Sequence, residues 1–269
     1  MRKRKALIII AALIAALAIF FTVTLPRAYV VPILMYHAVG SRVIESKALN
    51  ISSDTFARQM RFLKVQRYNV LPLEELAELI KDKKRLPPRA LAITFDDGEK
   101  TVYTNAFPIL KKYNFPATLF IIVREVDRPQ GDRLNWEEIK EMQDSGLISI
   151  GSHCIGPDPL VNMKSEELIR NEITGSKQLL EEKLGTPVAL FSYPEGFFND
   201  KIRQMVISAG YRGAVAARPD LHSPSDDIFA LKRLRISENC RNMFVFAVES
   251  SGYYTFMKEF KQRYKDDKK

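Results

Sequence analysis

Two adjacent aspartates that follow a short apolar run are the residues best placed for chemistry. The run from Leu91 to Phe95 has the length and apolar content of a strand buried on both faces, and Asp96, Asp97 and Gly98 follow it directly. In α/β folds, the loops at the carboxyl ends of such strands hold the catalytic groups. Successive side chains of an extended chain point in opposite directions, so we expect the two acids to occupy different environments, one as proton acceptor and one as metal ligand. The alternative is a turn that only caps the next helix.

Other reactive residues also fall at the ends of predicted strands. The chain has three histidines. His37 ends an early apolar strand, His153 follows a middle one, and the segment 193–196 (Tyr-Pro-Glu-Gly) ends a later one. In a barrel these strand ends converge on one mouth, so residues distant in sequence meet there. A single histidine on an apolar strand is more often structural than a ligand, but two at converging ends beside paired acids indicate a shared site.

Strand and helix patterns alternate through the chain after residue 30. The predicted strands are 30–37, 91–95, 117–123, 147–151, 188–193 and 214–217. The predicted helices are 53–65, 73–80, 102–113, 136–145, 165–184 and 201–209. Strands separated by helices imply parallel pairing with right-handed crossovers. We therefore predict an α/β fold, an irregular (β/α) barrel of about seven parallel strands preceded by one N-terminal transmembrane helix.

The N-terminal segment predicts a membrane anchor. Residues 1–5 form a basic stub with four cations, and residues 6–25 carry no charge over about the length that a helix needs to cross a bilayer. The basic flank places the N-terminus in the cytoplasm. A cleaved signal peptide is the rival, but its apolar core would be shorter, and residues 22–29 contain no small-x-small cleavage site. We expect a single-pass protein of a bacterial-type plasma membrane, with its catalytic domain on the extracytoplasmic side.

The rest of the chain fits one globular domain at 30–260, followed by a basic tail at 261–269. The formal charge of +9 comes partly from the stub and the tail. Outside the cytoplasm such a balance indicates attraction to anionic lipid or cell-wall polymer, and the aromatic and basic interleaving of RNA-binding proteins is absent from the sequence, so nucleic acid is not a predicted partner. Cys154 and Cys240 are expected to be unpaired.

Four motifs carry a resemblance to a known family. Residues 94–98 (Thr-Phe-Asp-Asp-Gly), 148–153 (Ile-Ser-Ile-Gly-Ser-His) and 191–196 (Phe-Ser-Tyr-Pro-Glu-Gly) look like its first motif, the approach to its second and a variant of its third. The opening 35–37 (Met-Tyr-His) is common in one branch. By these motifs the chain resembles the NodB-type polysaccharide deacetylases, carbohydrate esterase family four, from about residue 31 to residue 236.

The resemblance implies a role for each matching residue. Asp96 is the expected general base, and Asp97 and His153 are expected to hold a divalent metal, with zinc as the expected ion. Water activated by the metal attacks an N-acetyl carbonyl on an amino sugar and releases acetate. The backbone amide of Glu195 is expected to help hold the oxyanion, and this role tolerates glutamate where the family usually has tyrosine. The residues expected to contact the substrate are His37, Tyr193, Pro194 and His222.

Several positions depart from the family pattern. Pro157 stands where the family carries its second metal histidine, and proline cannot bind a metal. Asp158 is the obvious substitute ligand, and Cys154 is a second possibility. Ser192 stands where many members carry an arginine that pairs with the base. The late histidine that acts as general acid in part of the family is missing, unless His222 takes its place.

Two functions of different class remain open. The first is a membrane-anchored hydrolase that removes N-acetyl groups from an amino-sugar polysaccharide of the cell envelope or an exported polymer, and so acts on carbon-nitrogen bonds other than peptide bonds. The second is a catalytically inactive carbohydrate-binding module with the deacetylase fold. The intact pair Asp96 and Asp97 favours the enzyme, because a site without catalytic demand has little reason to keep two acids at a rim. Pro157 favours the binding module.

Overall fold

The computed structural model of the chain describes residues 29–40, 50–128, 130–217 and 226–266. The strands are β1 (Ile33–Tyr36), β2 (Ala38–Val39), β3 (Asn50–Ile51), β4 (Asn69–Val70), β5 (Ala90–Phe95), β6 (Ala117–Ile121), β7 (Ile148–Ser152), β8 (Leu190–Ser192), β9 (Gly213–Ala216), β10 (Leu231–Lys232) and β11 (Leu234–Arg235). The helices are α1 (Ser53–Val65), α2 (Leu73–Lys81), α3 (Phe107–Tyr113), α4 (Trp136–Asp144), α5 (Glu166–Arg170), α6 (Ser176–Leu184), α7 (Asp200–Ser208), α8 (Met243–Glu249) and α9 (Tyr254–Asp266).

The main sheet curls into an almost closed ring of parallel strands. Its order is β10-β9-β8-β7-β6-β5-β1-β11, and β4 pairs with the first half of β5. The strands β10 and β11 are two parts of one segment, 231–235, that pairs with β9 on one side and with β1 on the other. This segment joins the two ends of the sheet. The predicted α/β barrel is confirmed, with eight strands along the ring among the described residues.

Side-chain caps explain why several predicted helices begin where they do. The Ser52 hydroxyl accepts a hydrogen bond from the Thr55 amide at 3.1 Å, and α1 has the predicted bounds. Asn135 and Glu138 form a capping box at the start of α4. Asn199 caps α7 in the same way as Ser52 caps α1. These caps fix the first residue of each of the three helices.

Side chains along each strand alternate between the helices and the ring interior. On β5, Leu91, Ile93 and Phe95 belong to the large core under the helices, whereas Ala90 and Ala92 belong to a second apolar cluster. That second cluster fills the ring near the strand starts and includes Ile33, Phe120, Leu190, Val215 and Leu231. Residues two apart on a strand share a face. The inward series that begins with Ala90 and Ala92 on β5 therefore continues through Thr94 to Asp96 at the end of the strand.

Some of the structure departs from the sequence prediction. The predicted helix 165–184 contains a π-helical turn at Asn171–Gly175, and the predicted helix 102–113 begins with another at Val102–Ala106. The closing segment 231–235 was not predicted, because its three cations hide the apolar pattern of a strand. The helix α9 runs across the expected boundary between domain and tail at 260.

The predicted anchor at 6–25 lies outside the described residues, and it stays a prediction. Within the part of the chain that the structure describes, no helix combines the length and the hydropathy that a membrane span requires. Cys154 and Cys240, which are expected from the sequence to be unpaired, are both free, and both are buried.

Candidate active site

A cavity of about 590 Å³ opens at the carboxyl ends of the strands. The predicted site residues that line it are His37, Asp96, Asp97, His153, Tyr193 and Glu195. Pro157 lines it as well, whereas Asp158 and Pro194 are not among its described lining residues. His222 lies outside the described residues. The predicted convergence of the strand ends is confirmed, and the catalytic roles stay predictions.

The two aspartates share this cavity, which corrects the expectation that they occupy separate environments. Asp96 continues the inward alternation of β5, and its side chain is 4% exposed. Asp97 has a φ of 71°, so the chain leaves the extended conformation at this residue and turns the second carboxylate toward the same space. Its side chain is 26% exposed. The acids therefore differ in burial and not in the cavity they face.

His153 presents one ring nitrogen to the aspartates. Its Nδ1 lies 2.8 Å from the backbone oxygen of Ser192, and because a carbonyl only accepts, Nδ1 carries the proton. In the neutral imidazole of this tautomer, Nε2 carries the lone pair, and it lies 3.5 Å from Oδ1 of Asp97 and 3.9 Å from Oδ2 of Asp96. A nitrogen lone pair and two carboxylate oxygens at this spacing repel one another, so the arrangement favours a cation beside them.

The donors Asp97 and His153 suit a divalent ion, since carboxylate and imidazole bind zinc and related metals. Among the described residues, no group of three or more His, Cys, Asp and Glu side chains is arranged to hold an ion together. The described residues therefore suit an ion that has two protein ligands, Asp97 and His153, and whose other coordination positions are open to water and substrate. Such a site should bind metal more weakly than a catalytic zinc site with three protein ligands.

Neither substitute ligand suggested by the sequence joins this pair. Asp158 is exposed and lies outside the cavity lining among the described residues. Burial raises the pKa of the Cys154 thiol well above its ordinary value, so the thiol stays protonated and is a poor ligand. Pro157 does line the cavity, so a donor side chain at that position would lie beside the same space as Asp97 and His153.

An arginine pairs with Asp96, but it comes from the strand segment that the sequence did not predict. Arg233 lies between β10 and β11, and its Nη1 and Nη2 each donate to one carboxylate oxygen of Asp96 at 2.7 Å. Nη2 also donates to the hydroxyl of Ser192 at 2.9 Å. Arg233 thus supplies from the closing strand the contact that family members with an arginine at the Ser192 position are expected to make. The signal in the sequence was the spacing of Leu231, Arg233 and Arg235 at every second position, which places the three side chains on one face of a strand.

Charge and burial act in opposite directions on Asp96. Burial raises the pKa of the carboxyl group, but the Arg233 guanidinium, together with the His153 and His37 imidazoles in their protonated forms at acid pH, outweighs burial and lowers that pKa from 3.8 to about 2. Asp96 is therefore ionised at neutral pH and can accept a proton. Because its pKa is lowered in the folded state, the ion pair stabilises the fold fully above about pH 4, and this contribution is lost as the pH falls toward 2.

His37 is a neutral neighbour of this pair. Burial lowers the pKa of the His37 imidazole below its ordinary value, although Asp97 and Asp96 oppose the shift. Its Nδ1 is buried and has no hydrogen-bond partner among the described residues. A buried ring nitrogen of this kind is expensive to leave unpaired, so it is available to a bound group.

We expect Arg233→Met to lower the free energy of unfolding by about 3–5 kcal/mol, because the charge of Asp96 is then buried without its partner. The pKa of Asp96 should rise, since burial then dominates, and the acid limb of the activity profile should move to higher pH. Urea denaturation and a pH-rate profile measure the two effects. Ser192→Ala, which removes only a hydroxyl acceptor, is the control with the smaller loss. Equal stability of Arg233→Met and the parent would contradict the ion pair's role.

Three non-glycine residues with left-handed backbone lie where strands meet the cavity. Asp97, Cys154 and Glu195 have φ values of 71°, 68° and 54°, and they follow β5, β7 and β8. Each such non-glycine residue costs about 1–2 kcal/mol, and such strain is typical of functional sites. The side chain of Glu195 is exposed, so the residue meets the cavity without burying its charge. The oxyanion role of its amide stays a prediction.

Tyr193 forms part of the cavity wall, whereas the next residue, Pro194, is not among its described lining residues. The hydroxyl of Tyr193 donates to the backbone oxygen of Phe229 at 3.0 Å, and its ring stacks on Phe198 at 4.4 Å between centroids. Pro194 is buried. Because the polar atom of Tyr193 is already paired, its contact with a substrate is limited to the ring face.

A buried glutamate that the sequence did not single out holds the loop before Pro157. Glu172 lies in the π-helical turn, and its Oε2 accepts hydrogen bonds from the amides of Ile155 and Gly156, both at 2.8 Å. The guanidinium of Arg124 lies 3.8 Å from its other oxygen. Glu172 therefore fixes the backbone path between His153 and the cavity-lining proline.

We expect Glu172→Ala to lower the free energy of unfolding by about 1–3 kcal/mol, because two buried amides lose their acceptor. The rate of any reaction in the cavity should fall as well, because the loop beside the cavity is released. Glu172→Gln keeps an accepting oxygen in the same place, so this variant should retain most of the stability and most of the reaction rate. Chemical denaturation and rate measurements compare the two variants. Equal losses of stability in the glutamine and alanine variants would contradict the proposed role of the two hydrogen bonds to Glu172.

Comparisons with known proteins identify the family to which this chain is similar. The family model described as polysaccharide deacetylase matches residues 83–214. A Bacillus subtilis (strain 168) protein, assigned by name to the polysaccharide deacetylases, is 31% identical over 77% of this chain and 71% of its own length. The poly-beta-1,6-N-acetyl-D-glucosamine N-deacetylase of Staphylococcus aureus (strain MRSA252) is 30% identical over 72% and 70%.

A solved structure shares the fold at similar identity. The Streptococcus pyogenes deacetylase PplD in complex with acetate superposes with a TM-score of 0.71 at 28% identity, over 78% of this chain and 93% of that chain. The matched residues include the first motif with both aspartates, the histidine of the second and the third-motif segment 191–196. From its motifs, its cavity and these relatives, the chain belongs to the polysaccharide deacetylase family.

Proposed function

We propose that the protein is a membrane-anchored hydrolase that removes N-acetyl groups from an amino-sugar polysaccharide of the cell envelope or an exported polymer. The observation that carries the proposal is the buried, ionised Asp96, held by two hydrogen bonds from Arg233 beside the donors Asp97 and His153. The name of the Staphylococcus aureus relative supports a polymer of N-acetylglucosamine as the substrate class.

The chemistry follows from what each residue can donate or accept. A divalent ion held by Asp97 and His153 would make water more acidic and polarise the acetamide carbonyl, which a carboxylate with a pKa of about 2 needs because it is a weak base. Asp96 accepts the proton of the attacking water, and Arg233 keeps its oxygens in place. The backbone amide of Glu195 donates to the oxygen that gains charge.

The products follow from the bonds that change. The water oxygen bonds to the carbonyl carbon, and the bond from that carbon to the sugar nitrogen breaks. The proton taken by Asp96 is returned to the departing nitrogen, so the products are acetate and a free amino sugar. His37 lines the same cavity, is neutral at neutral pH, and has a buried Nδ1 without a hydrogen-bond partner among the described residues, so we infer that it contacts the acetamide.

The test is the appearance of free amines on defined oligomers. Purified full-length protein is incubated with β-1,6-linked and with β-1,4-linked oligomers of N-acetylglucosamine in the presence of zinc or cobalt, and amines are labelled with a fluorogenic reagent. Amines formed from either oligomer support the proposal, and the ratio of the two rates identifies the preferred linkage. Absence of amines from both oligomers, and from acetylated cell-wall fragments, would contradict it.

The second candidate function is a carbohydrate-binding module without catalysis. It is favoured by Pro157, which leaves the described site with two metal donors instead of three. A binding module would retain oligomers with a measurable affinity and return them with every acetyl group intact. Mass spectrometry of oligomers recovered after binding separates the two functions.

The anchor is proposed from residues 1–25 and is tested separately. We expect the full-length chain to stay in the membrane fraction after a high-salt wash and to be released by detergent. A reporter fused after Lys269 should be active outside the cytoplasm. Release of a soluble species trimmed near Ala28 would show a signal peptide instead.

A further inference from the structure

The end of the barrel opposite the cavity carries a dense group of exposed cations. Loops that lead into parallel strands lie at one end of a barrel, and the catalytic loops lie at the other. The loop from α2 to β5 and the turn from α1 to β4 both belong to the strand-start end. Their cations form the basic face, which consists of Arg67, Lys81, Lys83, Lys84, Arg85 and Arg89, all exposed.

The basic face is continuous in space. The amide of Asn69 donates to the backbone oxygen of Arg89 at 3.0 Å, and the guanidinium of Arg89 donates to the backbone oxygen of Gln66. These contacts join the turn after α1 to the end of the α2–β5 loop. Asp82, which pairs with Lys84 at 2.8 Å, is the single acid within 81–89. The face therefore keeps a strong net positive charge.

The first residues that the structure describes, Tyr29 and Val30, lie beside this face. The hydroxyl of Tyr29 donates to the backbone oxygen of Ala90 at 3.4 Å, and its ring meets that of Tyr253 edge to face at 5.6 Å. The amide of Val30 donates to the backbone oxygen of Gly252 at 2.8 Å. Tyr29, Tyr68, Tyr253 and Arg89 line one shallow groove there, with a volume of about 400 Å³. Tyrosine side chains are enriched where membrane proteins meet the membrane-water interface.

The spacing to the predicted anchor is short. Leu25, the last residue of the apolar run, precedes Tyr29 by four residues, and four residues span at most about 14 Å when fully extended. Cations within about one Debye length, roughly 8–10 Å, of an anionic lipid surface are attracted to it. The six residues of β5 add about 20 Å between that end of the barrel and the cavity.

We propose that the basic face rests on an anionic phospholipid surface, so that the catalytic cavity opens away from the membrane. The proposal rests on the anchor in the proposed function and goes beyond it by fixing which end of the barrel meets the lipid. Its consequence is that the substrate is reached on the side of the polymer layer, at a distance from the bilayer, and not at the lipid headgroups.

The orientation is tested with the full-length chain in nanodiscs of phosphatidylglycerol and phosphatidylcholine that carry spin-labelled headgroups. A fluorophore is attached at Lys84→Cys on the basic face or at Lys164→Cys, a matched exposed lysine at the cavity end. We expect the spin label to quench the fluorophore at 84 at least several-fold more than the one at 164. Equal quenching, or stronger quenching at 164, would overturn the orientation.

Two further arms test the role of charge. With the fluorophore at Lys81→Cys, we expect quenching to fall at least twofold when the nanodiscs contain only phosphatidylcholine. The triple variant Lys83→Glu, Lys84→Glu, Arg85→Glu should cause the same fall in phosphatidylglycerol nanodiscs. Quenching that is unchanged in both arms would overturn the electrostatic contact.

Failure of the anchor and failure of the enzyme are distinguishable in the same preparation. A chain that does not co-elute with the nanodiscs overturns the anchor and this orientation together, whereas acetate release from soluble oligomers reports the enzyme independently. A chain that is held in the nanodiscs and active, but quenched equally at positions 84 and 164, overturns the orientation alone.

Discussion

Asp96→Asn is expected to lower acetate release by about a hundred- to ten-thousandfold, which is the usual contribution of a general base. The amide cannot take the proton of the attacking water, while Asp97 and His153 keep their positions at the ends of their strands. Metal binding should be largely retained. The rate is measured below the unfolding transition of the variant, because Arg233 keeps at most one of its two hydrogen bonds to residue 96, now to a neutral amide oxygen, and the fold is expected to lose stability.

Asp227→Asn is the matched control for this variant. Asp227 also accepts two hydrogen bonds from one arginine, Arg203, at 3.0 and 2.8 Å, and neither residue lines the cavity among the described residues. The same chemical change should lower stability there and leave turnover close to that of the parent. Activity of Asp96→Asn equal to that of Asp227→Asn would rule out Asp96 as the base.

Pro157→His is expected to tighten zinc binding by at least about tenfold and to raise deacetylation. Loss of a partner that only orients a ligand already costs roughly ten- to a hundredfold in metal affinity, so gain of a direct ligand should exceed that. Position 157 lines the same cavity as Asp97 and His153, which are already in place. Calorimetric zinc titration and initial rates measure the two gains.

Two controls separate a new ligand from a relaxed loop. Pro157→Ala removes the proline without adding a donor, and it should leave zinc affinity unchanged. Asp158→Ala tests whether the neighbouring carboxylate reaches the ion in the metal-bound protein. If Pro157→His and Pro157→Ala bind zinc equally, the third-ligand interpretation fails, and loss of zinc in Asp158→Ala would assign that ligand to Asp158 instead.

Much of the fold and the central part of the site followed from the sequence. The apolar run before Asp96 and the helix over 53–65 are local patterns, so their bounds could be predicted to within a residue. The convergence of His37, Asp96 and His153 also followed, because parallel strands bring their carboxyl ends to one mouth. These features depend on strand direction and on neighbours in the chain.

The remaining features depend on contacts between distant segments. Arg233 reaches Asp96 from a strand that exists only because it pairs with β9 and β1 at once. The hydrogen bonds from the loop before Pro157 to Glu172 depend on the π-helical turn that contains Glu172, and this turn has no clear sequence signal. The shared cavity of the two aspartates depends on the left-handed backbone of Asp97, and alternation along a strand could not predict that turn.

The central claim is that this cavity hydrolyses N-acetyl groups and does not merely bind them. The most direct measurement is the time course of acetate release from N-acetylglucosamine oligomers by the full-length protein with added zinc, with bound and free oligomer analysed by mass spectrometry at each time. The proposed function predicts acetate and free amines formed in equal amounts, at a rate that Asp96→Asn abolishes and Pro157→His increases. Oligomers that bind saturably and return fully acetylated, with the parent and with Pro157→His, would contradict the enzyme and assign the protein as a binding module.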